Sequence, residues 1–333
     1  MIGGTASPRE LRGKILRSVS RSFYVSIRLL PAKLQDPVAL GYLLARATDT
    51  VADTIDIPVD VRKETLAVLA NSIQGNRSVN GMAESIAPLQ KNEAERTLLQ
   101  QLPACLEWLD RLTEDDRADI RTVLSKITRA QTIDLECFGS AEEPSAFATA
   151  TDLHEYTYLI AGSVGEFWTR LCVRHIRDVF ELAEKEMLEL GRRYGAGLQL
   201  VNIVRDAHSD LRAGRCYFPK EELDAIGLNP SQILSSPDRF EGIHQKWREE
   251  AAQGLKSGMQ YVGAIRSRRI RGATALPALI GARTVALLRK AGRDALEQKI
   301  KVPRDEVRGL IRSIVLTGSG RKTLHKMFDR LLG

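Results

Sequence analysis

Apolar residues recur along most of this chain at three- and four-residue intervals, and no stretch keeps up the apolar/polar alternation of a half-buried strand. The pattern predicts helices over 8–21, 36–53, 61–73, 94–113, 114–137, 155–165, 180–193, 195–210, 247–261 and 305–315, with an apolar stretch over 273–286 and an amphipathic tail over 321–332. Asp36-Pro37 reads as a helix start, Asp as N-cap and Pro at the first helical position. The polar stretch 74–92 reads as a surface connection. An all-α fold follows.

Two of these helices carry a polar stripe on an otherwise apolar surface. Gln199, Asn202, Asp206 and Asp210 fall on one face of 195–210, while Leu198, Val201, Ile203 and Val204 cover the other sides. Tyr42, Arg46, Asp49 and Asp53, spaced 4, 3 and 4, do the same on 36–53. Burying carboxylates is costly unless a cation accompanies them, so two pairs at helical spacing predict an acidic cavity wall. Hard oxygen donors of this type suit Mg²⁺, which keeps part of its water shell and is completed by substrate phosphates. Each pair is preceded by an arginine, Arg46 or Arg205.

Other groups extend that picture. Ser20-Arg21-Ser22-Phe23 crowds two hydroxyls and a guanidinium, a combination able to hold phosphate oxygens, though a capping turn uses the same residues. Ala161, Gly162 and Gly165 make a small-residue face in 155–165, where glycine costs about 1 kcal/mol relative to alanine, so something approaches the backbone there: a neighbouring helix or a ligand tail. Arg215, in the turn 212–219, is positioned to stand over the mouth of a pocket.

Composition narrows the class. The 333 residues are 43% hydrophobic and 27% charged, enough apolar material for a sizeable core. The net charge of +7 permits anionic partners. The basic run 266–271 belongs to a solvated face, and a nucleic-acid partner is not expected, since it leaves the carboxylate stripes without a role. Four scattered cysteines without C-x-x-C spacing predict no zinc site or disulfide framework and fit a reducing cytoplasm. No apolar run reaches membrane-spanning length, and the start of the chain lacks a signal-peptide pattern, so a cytoplasmic protein, at most peripheral at a membrane, is expected; the tail 321–332 suits docking on the domain or on an anionic membrane surface.

Five ordered motifs resemble the squalene/phytoene synthase family of head-to-head trans-isoprenyl diphosphate synthases: Ser20–Phe23, Asp49–Asp53, Tyr156–Gly165, Asn202–Asp210 and Gly214-Arg215-Cys216-Tyr217-Phe218-Pro219. The resemblance covers roughly 15–315 and implies a single isoprenoid synthase domain spanning 1–333, with a central active-site cavity, a catalytic core at about 15–315 and a basic amphipathic tail at 316–333. It implies that Asp49, Asp53, Asn202, Asp206 and Asp210 hold Mg²⁺ against the diphosphates of two farnesyl diphosphates. Arg21, Arg46, Arg205 and Arg215, with Ser20, Ser22 and Gln199, would serve the same groups. Phe23, Tyr42, Ala161, Val164 and Gly165 would line the prenyl region, and Tyr156 would steady the allylic cation or help its proton leave.

Within the family, 266–277 and Lys299-Ile300-Lys301-Val302-Pro303-Arg304 look most like the squalene-forming branch. The implied reaction is Mg²⁺-dependent condensation to presqualene diphosphate followed by NADPH-dependent reduction to squalene, in sterol or hopanoid biosynthesis, with Lys299, Lys301 and Arg304 on the cofactor. Phytoene, dehydrosqualene or presqualene diphosphate synthesis, none of which reduces, is the alternative. Ala273-Thr274 stands where the squalene-forming pattern has Phe-Cys, and Ser209 where many relatives have an acid, which leaves the product open. A monomer is favoured.

Overall fold

The computed structural model describes residues 6–28, 30–54, 56–76, 79, 81–138, 144–297 and 300–333, with backbone alone at 21–23 and 25. These residues form helices almost throughout; the one sheet among them is a two-residue parallel pair. No described helix is long and apolar enough to cross a membrane. The contacts divide the chain into two compact units, one of 1–135 with 170–175 and one of 136–169 with 176–333.

In the first unit the main helices are α1 (Arg21–Arg28), α2 (Ala32–Asp53), α3 (Val59–Ile73), α4 (Glu93–Gln100), α5 (Leu102–Arg111) and α6 (Glu114–Cys137, all but its last two residues). Its core is built from the apolar sides of α2, where Leu40, Leu43, Leu44, Ala47 and Val51 are buried. Asp36 is not the cap that the sequence suggests. The helix starts at Ala32 behind Pro31, so Pro37 lies inside it and Asp36 pairs with Arg12. Pro37 lies near enough to the start that its missing N–H costs one intrahelical bond without breaking the helix. The helix expected over 94–113 divides at Gln101, just ahead of Pro103, and 74–92 contains the short helix Met82–Ile86. The last turn of α8 (Ser163–His175) also belongs to this unit, where Arg174 and His175 hold buried Asp116 at 2.9 and 2.8 Å.

The second unit contains α7 (Ala150–Thr157), the first part of α8, α9 (Glu184–Arg212), α10 (Pro237–Ala264), α11 (Arg268–Ala291), α12 (Arg304–Leu316) and α13 (Arg321–Leu332). Thr149 and Asp152 close a capping box on α7. The helix expected over 180–193 begins only at Glu184, because Phe180 is drawn into a bridge with Ile265. Helices α9 and α10 pack so closely that a Cβ on Gly197 would lie 2.6 Å from Gly254 Cα. Buried His244 on α10 donates from Nε2 to the Val204 carbonyl at 2.9 Å, tying α10 to the aspartate-bearing stretch of α9. The tail docks on its own unit: Leu324, Met327, Phe328 and Leu332 of α13 are buried.

Candidate active site

On α2, the expected stripe is visible in the burial pattern. Tyr42, Arg46 and Asp49 are half-buried and Asp53 is exposed, while the residues between them are mostly buried. Burial, with the Asp53 charge one turn on, pushes the Asp49 carboxyl up to about 6, against the pull of a hydrogen bond from Gln131 and the charge of Arg46. Arg46 pairs with Glu95 of α4. Asp53 opens onto a cleft of about 210 Å³ whose walls include Thr50, Gln90, Lys91 and Glu95. Gln131 and Glu95 are absent from the sequence-based reading. The signal for Gln131 was an amide among apolar neighbours on α6, where it is buried.

In the second unit, Asp206 and Asp210 lie one turn apart near the end of α9 and are both half-buried. Arg205 Nε donates to Asp206 Oδ1 at 3.0 Å, and Arg215 Nη2 to Asp210 Oδ1 at 3.4 Å. Burial raises the Asp210 carboxyl to about 6; Arg215 and Arg205 pull it down and Asp206 pushes it up. Asn202 is exposed on the same stripe and donates to Gln199 at 3.3 Å.

A two-residue parallel ladder puts Arg215 in place. β1 (Ser145–Ala146) pairs with β2 (Arg215–Cys216) in the register Ser145 to Arg215 and Ala146 to Cys216. The next residue on each strand is aromatic, and Phe147 and Tyr217 lie with ring centroids 5.8 Å apart. Tyr156 stacks on both at 5.3 Å, and Phe138 lies 5.0 Å from Tyr217. Tyr156 thus sits buried in a four-ring cluster, of which the sequence pointed to one ring. Ring faces carry the negative end of a quadrupole and attract a cation.

The small residues have a packing role. A Cβ on Gly165 would lie 1.9 Å from the carbonyl oxygen of Gly191, so α8 and α9 meet backbone to backbone there. Of the two readings of this face, a close helix accounts for Gly165 and, against Arg192, for Gly162. A turn of π-helix, Tyr158–Gly162, precedes this approach. Val164 is exposed and Ala161 half-buried.

The remaining expected residues are less informative. Ser20 stands extended between two helices; the side chains of Arg21, Ser22 and Phe23 lie outside the described residues. Lys299 does too, while Lys301 and Arg304 are exposed at the entry to α12. Among the described residues, no three His, Cys, Asp or Glu side chains gather closely enough to hold a metal ion unaided.

Comparison with known proteins sets these residues in a family. Squalene synthase of Schizosaccharomyces pombe is 26% identical over 303 residues, 89% of this chain and 63% of its own length. Phytoene synthase of Rhodobacter capsulatus is 24% identical over 238 residues, 71% of this chain and 59% of its own. The chain therefore spans less than two thirds of either relative. Its structure is similar to that of TcSQS in complex with a ligand, with a TM-score of 0.78, 21% identity, and coverage of 98% of this chain and 91% of the other. A dehydrosqualene synthase in complex with a ligand gives a TM-score of 0.62 at 19% identity, covering 93% and 99%. The fold is the all-α isoprenoid synthase fold. The profile of the squalene/phytoene synthase family, whose members are prenyltransferases, matches residues 16–306, and the chain belongs to that family.

Proposed function

We propose that this chain is a squalene synthase that joins two farnesyl diphosphates head to head into presqualene diphosphate and then reduces that product to squalene with NADPH. The observation that carries the first step is the β1–β2 ladder, which joins an arginine on Asp210 to the ring cluster around Tyr156. It brings a group for diphosphate next to aromatic faces for a carbocation, from segments far apart in the chain. We further propose that the two units together make one catalytic domain, since the family profile runs through both.

The residues fit Mg²⁺. Asp49 and Asp210 are carboxylates held near 6 by burial, each with a second carboxylate one turn away, an arrangement that a hard cation stabilises. Asp49 with Asp53, and Asp206 with Asp210 and Asn202, would hold the ions, the rest of each shell coming from water and phosphate oxygens. When bound, Mg²⁺ supplies positive charge against the leaving diphosphate. Arg205 and Arg215 add fixed cations to the same oxygens. The rings of Tyr156, Tyr217 and Phe147 stabilise the allylic cation while excluding water, and the Tyr156 hydroxyl helps the cyclopropane-forming proton leave. Ala161 and Val164 line the prenyl region.

For the reductive step, NADPH would supply a hydride when bound, and the exposed cations Lys301 and Arg304 suit its phosphates. The segments 266–277 and 301–304, which resemble the squalene-forming branch, support this reading. The second reading, a synthase that stops short of reduction, is favoured by Ala273-Thr274, which departs from the squalene-forming pattern. Mass spectrometry of products from farnesyl diphosphate and Mg²⁺, with and without NADPH, separates the two. Squalene that appears only with NADPH is expected. Dehydrosqualene or presqualene diphosphate regardless of NADPH would move the chain to the other branch.

A further inference from the structure

Helix α12 is amphipathic in an unusual direction. Its inner side is held by buried Leu310 and Ile314, and by a two-pronged ion pair from Arg283 of α11 to Glu306 at 2.7 and 3.2 Å. Its outer side carries Arg308, Ile311, Arg312, Val315 and Leu316, which share one face at helical spacing and are all exposed. Val315 and Leu316 are 70% and 85% exposed, the two highest values among the described large apolar residues at the surface. Helix α13 differs, since its apolar side is buried in its own unit.

Positive charge surrounds this apolar tip. The turn after α12 brings Gly318 against the start of α11, where a Cβ on Gly318 would lie 3.5 Å from Arg268 Nη1. Just behind, Arg271 is buried and donates to the Arg266 carbonyl at 2.8 Å, and the acidic charge it feels, Glu181, is already paired with Arg321. On α12 the exposed acid, Asp305, is already taken by Arg308 at 3.2 Å, and Arg312 has no acidic partner among the described residues. The patch thus combines a bare apolar end with an excess of arginine.

We propose that the C-terminal half of α12 docks the chain on an anionic lipid bilayer. Ile311, Val315 and Leu316 enter the headgroup boundary, while Arg312 and Arg268 hold lipid phosphates. Arginine suits this place because its apolar stem lies along the buried side chains while its head reaches phosphate. Apolar insertion and phosphate attraction reinforce each other at such a surface. A second copy of the chain fits the patch less well. A two-fold contact sets a patch against itself, which brings arginine against arginine, and three apolar side chains fall well short of a stable interface.

The test is co-sedimentation of the full chain with vesicles of phosphatidylcholine alone or with about 30% phosphatidylglycerol. Binding to the anionic vesicles only, weakened by salt, is expected. The Val315→Ser/Leu316→Ser variant should bind roughly tenfold less, and Arg312→Gln about fivefold less, with unchanged thermal unfolding. As a second readout, Leu316→Trp should give an emission that shifts to the blue when anionic vesicles are added. Binding that ignores lipid charge, a serine variant that binds like the parent, or an unshifted emission would overturn the proposal. So would a dimer that the serine variant abolishes, which would assign the patch to a second copy.

Discussion

Gln131 of α6 donates its side-chain amide to the Asp49 carboxylate of α2, a bond between residues 82 positions apart in the chain. Gln131 is buried, and its amide fixes which way the Asp49 oxygens point. An outer partner of this kind is worth about 10- to 100-fold in metal affinity. Gln131→Leu, close in volume, should therefore leave the fold intact and raise the Mg²⁺ concentration for half-maximal activity by roughly that factor. An unchanged Mg²⁺ titration would remove Gln131 from the site.

Tyr156 has two separable parts. Its ring, tilted against both Phe147 and Tyr217, is the part that a carbocation would meet. A desolvated cation–ring contact is worth about 2 kcal/mol, so Tyr156→Leu should slow diphosphate release roughly thirtyfold. Tyr156→Phe keeps the ring and should leave diphosphate release near normal while slowing formation of the cyclopropyl product. Equal effects of both variants on both steps would reduce the residue to packing.

His244 makes stability depend on pH. It is fully buried, and burial lowers its pKa from the ordinary histidine value; the Arg248 charge lowers it further, while the bond to the Val204 carbonyl and the charge of Glu241 oppose the shift. The unfolded chain thus binds a proton more readily than the native one. The contribution of neutral His244 is complete above about pH 6.5 and is lost as pH falls from there through the lowered native value. Asp49 and Asp210, held near 6, add stability over the same range and act alike in both proteins, so the readout is the difference: the urea midpoint of the parent minus that of His244→Leu should shrink from pH 7 to pH 5.

Lys301 and Arg304 are exposed and so dispensable for folding. The double change to alanine should raise the KM for NADPH severalfold, with presqualene diphosphate formation untouched. A loss in the condensation step instead would show that these cations serve the first reaction.

Gly165→Ala forces a methyl group to within 1.9 Å of the Gly191 oxygen. The methyl stands on one helix and the oxygen is backbone of the other, so α8 and α9 must separate. A cost of about 2–3 kcal/mol is expected, visible as a lower melting temperature.

The helices were legible because their apolar periodicity is strong, and α6 runs from Glu114 to Cys137 as the pattern predicts. Boundaries were lost where a distant partner competes, as Ile265 does for Phe180. The aspartates stood out because acids on apolar helices are conspicuous. Phe138 and Phe147 did not, since an aromatic residue in a connecting segment carries no period, and Tyr217, quoted within a motif, gained a role only when the β1–β2 pairing grouped it with them. Gly162 and Gly165 were visible as small residues, but the helix they accommodate could be identified only from the packing.

The two-residue ladder has a consequence for recombination between relatives. Residues 145–146 and 215–216 are far apart in the chain yet share one register, and a slip of one position would turn each side chain to the other face. A chimera that imports the segment around Arg215 from another synthase inherits a strand cut to match a different partner. Such exchanges should yield active enzyme only when both segments travel together, so this site behaves as one heritable unit written in two places.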